Sequence, residues 1–213
     1  MASPRVPPTY VDRNRLWVDS RVRAHAQRLV ELPVLRALGG RLDGARVLEI
    51  GTGRRGTGLR LALEQLGAAR ADGVELYPES VAACRAAVAD LGDRVHVEQG
   101  DATALSARDA TYDAVFSYHL LHHADDWRAA VREAARVLVP GGRLYVCEMT
   151  ERFVDSRALR AVSYHPADGD RPTPLGIVEA ARAAGLEVLG GRLRHLGCWV
   201  AVVARRPGSL PPG

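Results

Sequence analysis

The stretch Val47-Leu48-Glu49-Ile50, followed at once by Gly51-Thr52-Gly53-Arg54-Arg55-Gly56-Thr57-Gly58, most narrows what this chain can fold into. A short apolar run bounded by glycine signals reads as a buried strand. The glycines after it let the backbone turn tightly and approach a ligand closely. The helical pattern that begins near Thr57 then offers unpaired N–H groups, which suit a carboxylate or a phosphate.

The same alternation continues along the chain. Apolar periodicity predicts strands over 46–50, 73–76, 95–98, 114–117 and 143–148, with helices over 57–66, 79–91 and 127–138 between them. Strands and helices in strict alternation imply a parallel sheet covered on both faces. A helix over 174–184 and two strands over 186–189 and 198–204 follow. The link between those strands is too short for a parallel crossover, so they form an antiparallel hairpin. An earlier helix is predicted over 20–38, with Val22, Ala26, Leu29 and Val30 on its apolar face and Gly39-Gly40 as its stop. Pro33 is expected to kink or split it. The region 150–173 shows no period and reads as loop. Both ends are proline-rich.

At 213 residues the chain suits one α/β domain. Its parts are a tail and helical segment (1–44), a core (45–148), a loop (149–173), a terminal helix and hairpin (174–206) and a tail (207–213). No apolar run is long enough to span a bilayer, and the start lacks the apolar core of a signal peptide, so a cytoplasmic location is expected. Cys84, Cys147 and Cys198 show no paired spacing. They read as free thiols, and no metal site is expected. A net charge of +4 raises the question of nucleic acid. All 29 basic residues are arginine, however, and they are scattered along the chain, which argues against such a partner.

In an open α/β sheet the ligand binds at the carboxyl ends of the strands. Four loops lie there. The first, Gly51 to Gly56, matches G-x-G-x-x-G, and Glu75 lies 19 residues further on. Taken alone, that pair fits a nicotinamide dinucleotide as well as any other adenosine cofactor. The second loop ends on Glu75, a carboxylate placed to accept both hydroxyls of a ribose. The third carries Asp101, which either reads an adenine amino group or caps a turn. The fourth runs from Tyr112-Asp113-Ala114-Val115-Phe116-Ser117 through Tyr118 and His119 to Leu121-His122-His123, a polar, histidine-rich strand end.

Together these residues resemble the class I S-adenosylmethionine-dependent methyltransferases, in particular the small methyltransferase-domain type similar to quinone-biosynthesis methyltransferases. The resemblance rests on Glu49-Ile50-Gly51-Thr52-Gly53, Glu75, Gly100-Asp101-Ala102, the Tyr112–His123 stretch and Arg136-Val137-Leu138-Val139-Pro140-Gly141-Gly142-Arg143-Leu144. It covers roughly 45–148. A nicotinamide fold gives no reason for Glu49 before the glycines, for the Pro140-Gly141-Gly142 turn or for a terminal hairpin.

The resemblance implies a doubly wound, Rossmann-like α/β fold. Its seven-stranded sheet would have the order 3-2-1-4-5-7-6, mostly parallel with an antiparallel last strand and helices on both faces. It implies S-adenosyl-L-methionine as cofactor and methyl transfer to a small-molecule acceptor, a natural product or cofactor intermediate. RNA or protein methylation and a non-catalytic use of the fold are the alternatives. Gly51, Thr52 and Gly53 would border the methionyl group, and Glu49 would take its ammonium. Glu75 would hold the ribose, Leu76 or Tyr77 would pack on the adenine, and Asp101 with Ala102 would read its edge. Ser117 would sit by the methionyl group, with Tyr118 either shielding the sulfonium or packing in the core.

His119 and Glu148 are the catalytic candidates, at the ends of the fourth and fifth strands. His122, His123 and His165 are weaker ones, with packing or capping as the ordinary role of the first two. Tyr10 and Trp17 form either a lid or a packed tail. With so little chain to roof the site, it is either open or closed by a partner subunit, as in a homodimer. One departure stands out: the family's third glycine would fall at Arg55, and here glycine comes one residue later, at Gly56.

Overall fold

The computed structural model describes residues 20–150, 170–194 and 199–208. Tyr10, Trp17, His165, His195, Cys198 and most of the 149–173 loop lie outside the described residues.

Seven strands build one sheet: β1 (Arg46–Ile50), β2 (Arg70–Glu75), β3 (Val95–Gln99), β4 (Tyr112–Tyr118), β5 (Leu138–Met149), β6 (Glu187–Arg194) and β7 (Trp199–Arg205). Their order is β3-β2-β1-β4-β5-β7-β6, as the resemblance implied. The first five strands pair in parallel. β7 runs antiparallel to both neighbours, β5 and β6. Strand order reverses direction at β1 and β4, so the cleft beyond their carboxyl ends is the ligand site of such a sheet.

The helices divide between the two faces. α3 (Thr57–Gln65) and α4 (Pro78–Ala87) cover one face, with α2 (Leu32–Gly39) beside them. Leu32, Leu35, Leu59, Val81 and Cys84 join Val47, Phe116, Tyr145 and Ala201 in that core. α5 (Trp127–Val137) and α6 (Pro174–Ala183) cover the other face, where Trp127, Val131, Ile177 and Ala180 pack on Leu48, Val115 and Val202. α5 forms where it does because Trp127, Ala130, Val131, Ala134 and Val137 recur at helical spacing. Asp126 caps it by accepting a hydrogen bond from the Ala129 N–H at 2.8 Å.

β5 is longer than the 143–148 expected from the sequence. The Pro140-Gly141-Gly142 turn is absorbed as an irregularity in its pairing with β4, between Tyr112 and Ala114.

The N-terminal helix differs most from expectation. It consists of α1 (Arg21–Ala26), a wide π turn (Gln27–Glu31) and α2, without a break at Pro33. Ser20 caps it by accepting from the Arg23 N–H at 3.0 Å. Its predicted apolar face is not the buried one. Val22 and Leu29 are 65% and 67% exposed, whereas Gln27 and Glu31 are each 6% exposed. In the π turn the Leu32 N–H reaches back five residues to the Gln27 carbonyl. The wider turn slows the rotation per residue and keeps Arg23, Gln27 and Glu31 on one inward line.

Candidate active site

The glycine turn after β1 is fixed from both sides. The Gly51 N–H donates to the Val74 carbonyl at 2.8 Å, tying β1 to β2. The Gly53 N–H donates to Glu75 Oε2 at 2.9 Å, while Glu75 Oε1 accepts from the Leu76 and Tyr77 N–H groups at 3.0 and 3.3 Å. Glu75 thus clasps the first and second loops together. Burial raises its pKa, and those three backbone donors act against that rise. Thr52 is buried, with its methyl group turned toward Gly73. A Cβ built on Gly53 would meet nothing within 4 Å, so this turn faces open space where a ligand can approach.

The shifted glycine has a structural reason. Gly56 has φ +55 and is the N-cap of α3. A Cβ there would come within 2.6 Å of Val88 Cγ1 and 2.9 Å of Cys84 Sγ. Position 56 therefore needs glycine, and Arg54 and Arg55 occupy the wider turn before it.

Glu49 points from β1 toward the start of α3. A Cβ on Gly58 would lie 2.2 Å from Glu49 Oε1, so only glycine leaves room for this carboxylate. It is 3% exposed, and its Oε2 has no hydrogen-bond partner among the described residues. Burial pushes its pKa up to about 8, against a hydrogen bond from the Leu59 backbone and the nearby Arg23 guanidinium. A buried acceptor without a donor is costly unless a ligand supplies one. An ammonium group fits this place.

Beyond Glu75, Leu76 and Tyr77 are 47% and 46% exposed, an apolar ledge on the second loop. Asp101 is also exposed. Its Oδ1 accepts from the Thr103 N–H and hydroxyl, both at 2.8 Å, which is the turn-capping geometry. Ala102 packs beside it on the α5 side of the core.

At the end of β4, Ser117 is 1% exposed and its hydroxyl makes no hydrogen bond among the described residues. Tyr118 is buried in the core, its ring parallel to that of Phe116. His119 follows with φ +54, an uncommon conformation for a side-chain-bearing residue and one associated with functional sites. Its Nε2 pairs with Glu31 Oε1 at 3.0 Å, and its Nδ1 has no hydrogen-bond partner among the described residues. Arg23 pairs with the same Glu31 carboxylate at 3.0 Å. Burial pushes Glu31 up, but the charge and hydrogen bond of His119, then Arg23, outweigh it and leave the pKa lowered. Cys147 lies 3.5 Å from His119 Nε2 and accepts from the Trp199 indole N–H at 2.7 Å. The donor atoms of Glu31, His119 and Cys147 lie within 4.8 Å of one another. Arg23 already neutralises Glu31 there, so the group reads as an ion-pair cluster.

Glu148, a catalytic candidate, stands near the end of β5. It is fully buried, and its carboxylate is already engaged. Oε2 accepts from the Leu121 N–H at 2.8 Å; Oε1 accepts from the Met149 N–H at 2.7 Å and pairs with His122 Nδ1 at 2.5 Å. Burial raises its pKa, but the charge and hydrogen bond of His122 dominate and lower it. Glu148 and His122 lock the turn after β4, and this holds His119 at the strand end. Sequence reasoning missed Arg23, Gln27 and Glu31. Their four-residue spacing on a capped helix was the available signal, but the apolar residues between them masked it.

The sheet order, the inserted β7 and the four carboxyl-end loops define a class I methyltransferase fold. A family model described as "Methyltransferase domain" matches residues 48–146. The 27-O-demethylrifamycin SV methyltransferase of Amycolatopsis mediterranei is 35% identical over 137 residues, 63% of this chain and 47% of that one. The demethylmenaquinone methyltransferase of Mycolicibacterium paratuberculosis is 36% identical over 139 residues, 56% of this chain and 60% of that one. The chain thus spans about half the length of the curated relatives it matches. Among solved structures, the methyltransferase in complex with the Haloferax volcanii Trm112 activator superposes with a TM-score of 0.72 at 23% identity, over 92% of this chain and 98% of that one. Residues 48–146 thus resemble a methyltransferase domain, and the chain has the fold of solved methyltransferases.

Proposed function

We propose that the chain binds S-adenosylmethionine and transfers its methyl group to a small-molecule acceptor. The observation that carries this reading is Glu49: a buried carboxylate with an unpaired oxygen, beside a glycine turn that faces open space. The relatives that act on a rifamycin or on a menaquinone precursor, by their names, favour a small molecule over RNA or protein as acceptor.

When bound, the cofactor supplies a methyl group on a positively charged sulfur, which an acceptor displaces in line. The chain's own residues bind and align. Gly51, Thr52 and Gly53 border the methionyl group and Glu49 takes its ammonium. Glu75 accepts the ribose hydroxyls while it clasps the loops. Leu76 and Tyr77 form the ledge for the adenine, and Asp101 with Ala102 lies at its edge. Ser117 and the buried Tyr118 close the floor near the reacting atoms. Alignment and exclusion of water supply much of the rate in such a displacement.

On the acceptor side we assign His119. Glu31 Oε1 pairs with its Nε2 at 3.0 Å and orients the ring at the end of β4, where an acceptor that must lose a proton would be met. Glu148 acts through His122 and the turn after β4 as a positioning residue. The two buried free thiols, Cys84 and Cys147, suit a reducing, cytoplasmic setting, and among the described residues no helix is long and apolar enough to cross a membrane.

Calorimetric titration with S-adenosylhomocysteine tests the reading. Saturable binding in the micromolar range is expected, and no heat at millimolar ligand overturns it.

A further inference from the structure

The outer side of the N-terminal helix carries apolar and basic side chains together. Val22, Leu29 and Val30 all stand in solvent there, the last at 41% exposure. From 20 to 39 the exposed charged or titratable residues are Arg21, His25, Arg28 and Arg36. The one acid of that span, Glu31, is buried and paired with Arg23 and His119. The outer face is therefore apolar and cationic, with no acid of its own. A cluster of exposed apolar groups rimmed by charge marks an interaction surface.

Beside that face runs a groove of about 610 Å³ between the helix, α3 and α4. Small side chains on the facing helices, Ala24, Ala83 and Ala87, leave it open. His25, Arg28, Arg54, Arg55 and Arg60 line it, against the single acid Glu64. Arg60 holds Glu64 at 3.1 Å and Asp90 at 2.6 Å, and Arg54 donates to the Glu79 carbonyl at 3.4 Å. Among the described residues no hydrogen bond or ion pair engages the Arg28 side chain. Arg54 and Arg55 come from the widened glycine turn, so the extra residue of that turn adds to this cationic wall. The groove keeps a positive balance and adjoins the apolar face through His25 and Arg28.

The charge selects the occupant. A second copy of the same face would set arginine against arginine. A nucleic-acid strand would pair with the arginines, but no aromatic side chain lines the groove for a base to stack on, and Val22 and Leu29 would stay in water. A phospholipid surface meets both parts. Its phosphates suit the guanidinium forks, and its acyl boundary takes the apolar side chains. A helix surface is convex, and a fluid layer moulds to it without a matching cavity. We infer that Val22, Leu29 and the adjoining arginine groove dock the chain peripherally on an anionic phospholipid surface. Binding of this kind needs no membrane-spanning helix. The inference stands apart from the cofactor reading, because it uses the outer side of the helix and none of the residues placed at the cofactor.

The test is flotation of the full chain with vesicles, either of phosphatidylcholine alone or of equal parts phosphatidylcholine and phosphatidylglycerol. The wild type should float with the mixed vesicles at low salt, stay behind with phosphatidylcholine, and bind more weakly at about 0.5 M salt. Arg28→Glu should lower affinity for the mixed vesicles about fivefold or more. Leu29→Glu should lower it at least about tenfold, because a charge replaces an apolar group at the acyl boundary. Both side chains are exposed, so both variants should melt at the wild-type temperature. Absence of flotation with the mixed vesicles, equal flotation with both lipids, or flotation unchanged in both variants overturns the inference. So does a dimer that Leu29→Glu dissociates, or a single-stranded oligonucleotide bound in place of the vesicles, since either gives the face to another occupant.

Discussion

On the proposed reading, in which Glu49 receives the cofactor's ammonium, binding should depend on pH in a stated direction. Its carboxyl is held at a pKa of about 8, first by burial, so most of it is protonated at neutral pH in the free chain. An ammonium ligand pairs only with the ionised form. With that pKa, the ionised fraction is about 1% at pH 6, about 10% at pH 7 and about half at pH 8. Affinity for S-adenosylhomocysteine should therefore rise about ninefold from pH 6 to 7 and about fivefold from pH 7 to 8, roughly 2 kcal/mol in all. Binding at pH 7 should release about 0.9 proton, because the ammonium forces Glu49 to ionise. The assay is calorimetry across this pH range, in buffers of different ionisation enthalpy to count the proton. As a control, 5′-methylthioadenosine, which has no ammonium, should show a flat profile. A flat profile for S-adenosylhomocysteine, or binding without proton release, refutes the pairing of Glu49 with the ammonium.

The same carboxyl sets a stability prediction. Its folded pKa is raised above the ordinary 4.5, so the folded state holds the proton more tightly. Its contribution is then intact below about pH 4.5 and is lost as pH rises toward 8. By pH 7 the loss is about 3 kcal/mol. Glu49→Gln should thus melt several degrees higher than wild type at pH 7 and equal to it near pH 4, while binding S-adenosylhomocysteine more weakly; a variant that melts lower at pH 7 contradicts this. Gly58→Ala puts a methyl group 2.2 Å from Glu49 Oε1 and should cut affinity for S-adenosylhomocysteine at least about tenfold by displacing that carboxylate. Unchanged affinity there would mean that Glu49 does not touch the ligand. Glu75→Ala removes the acceptor for three backbone N–H groups and a ribose partner, so affinity for S-adenosylhomocysteine and 5′-methylthioadenosine should fall together, about ten- to hundredfold. A loss confined to S-adenosylhomocysteine would place Glu75 at the aminoacyl end instead.

What could be read from the sequence follows the range of the interactions involved. The strand–helix alternation was legible because each β–α unit announces itself through local apolar period and glycine stops, whereas the strand order came from the family resemblance. That Glu49, Glu75 and the glycine turn would gather around the carboxyl ends of β1 and β2 was legible because the strands that position them adjoin them in sequence. Asp101 was left between two roles because both use the same oxygens at the same strand end. The structure puts its Oδ1 in a turn and leaves the carboxylate exposed. The burial of Glu148 was not legible, because the sequence does not reveal that Leu121 and His122, over twenty residues away, come back to occupy its carboxylate. The inward face of the N-terminal helix was illegible for the same reason. Glu31 is buried only because His119, 88 positions further on, meets it.

The two halves of that helix are held in different ways. Its second half is fastened in the ordinary way, with Leu32 and Leu35 fully buried in the core shared with α3 and β5. Its first half is held by Ser20, by the Arg23–Glu31–His119 pairs and by little else among the described residues. Buried ion pairs roughly break even against the desolvation they require, so those contacts add little net stability to the free chain. A purely structural helix would gain more by turning Val22 and Leu29 inward.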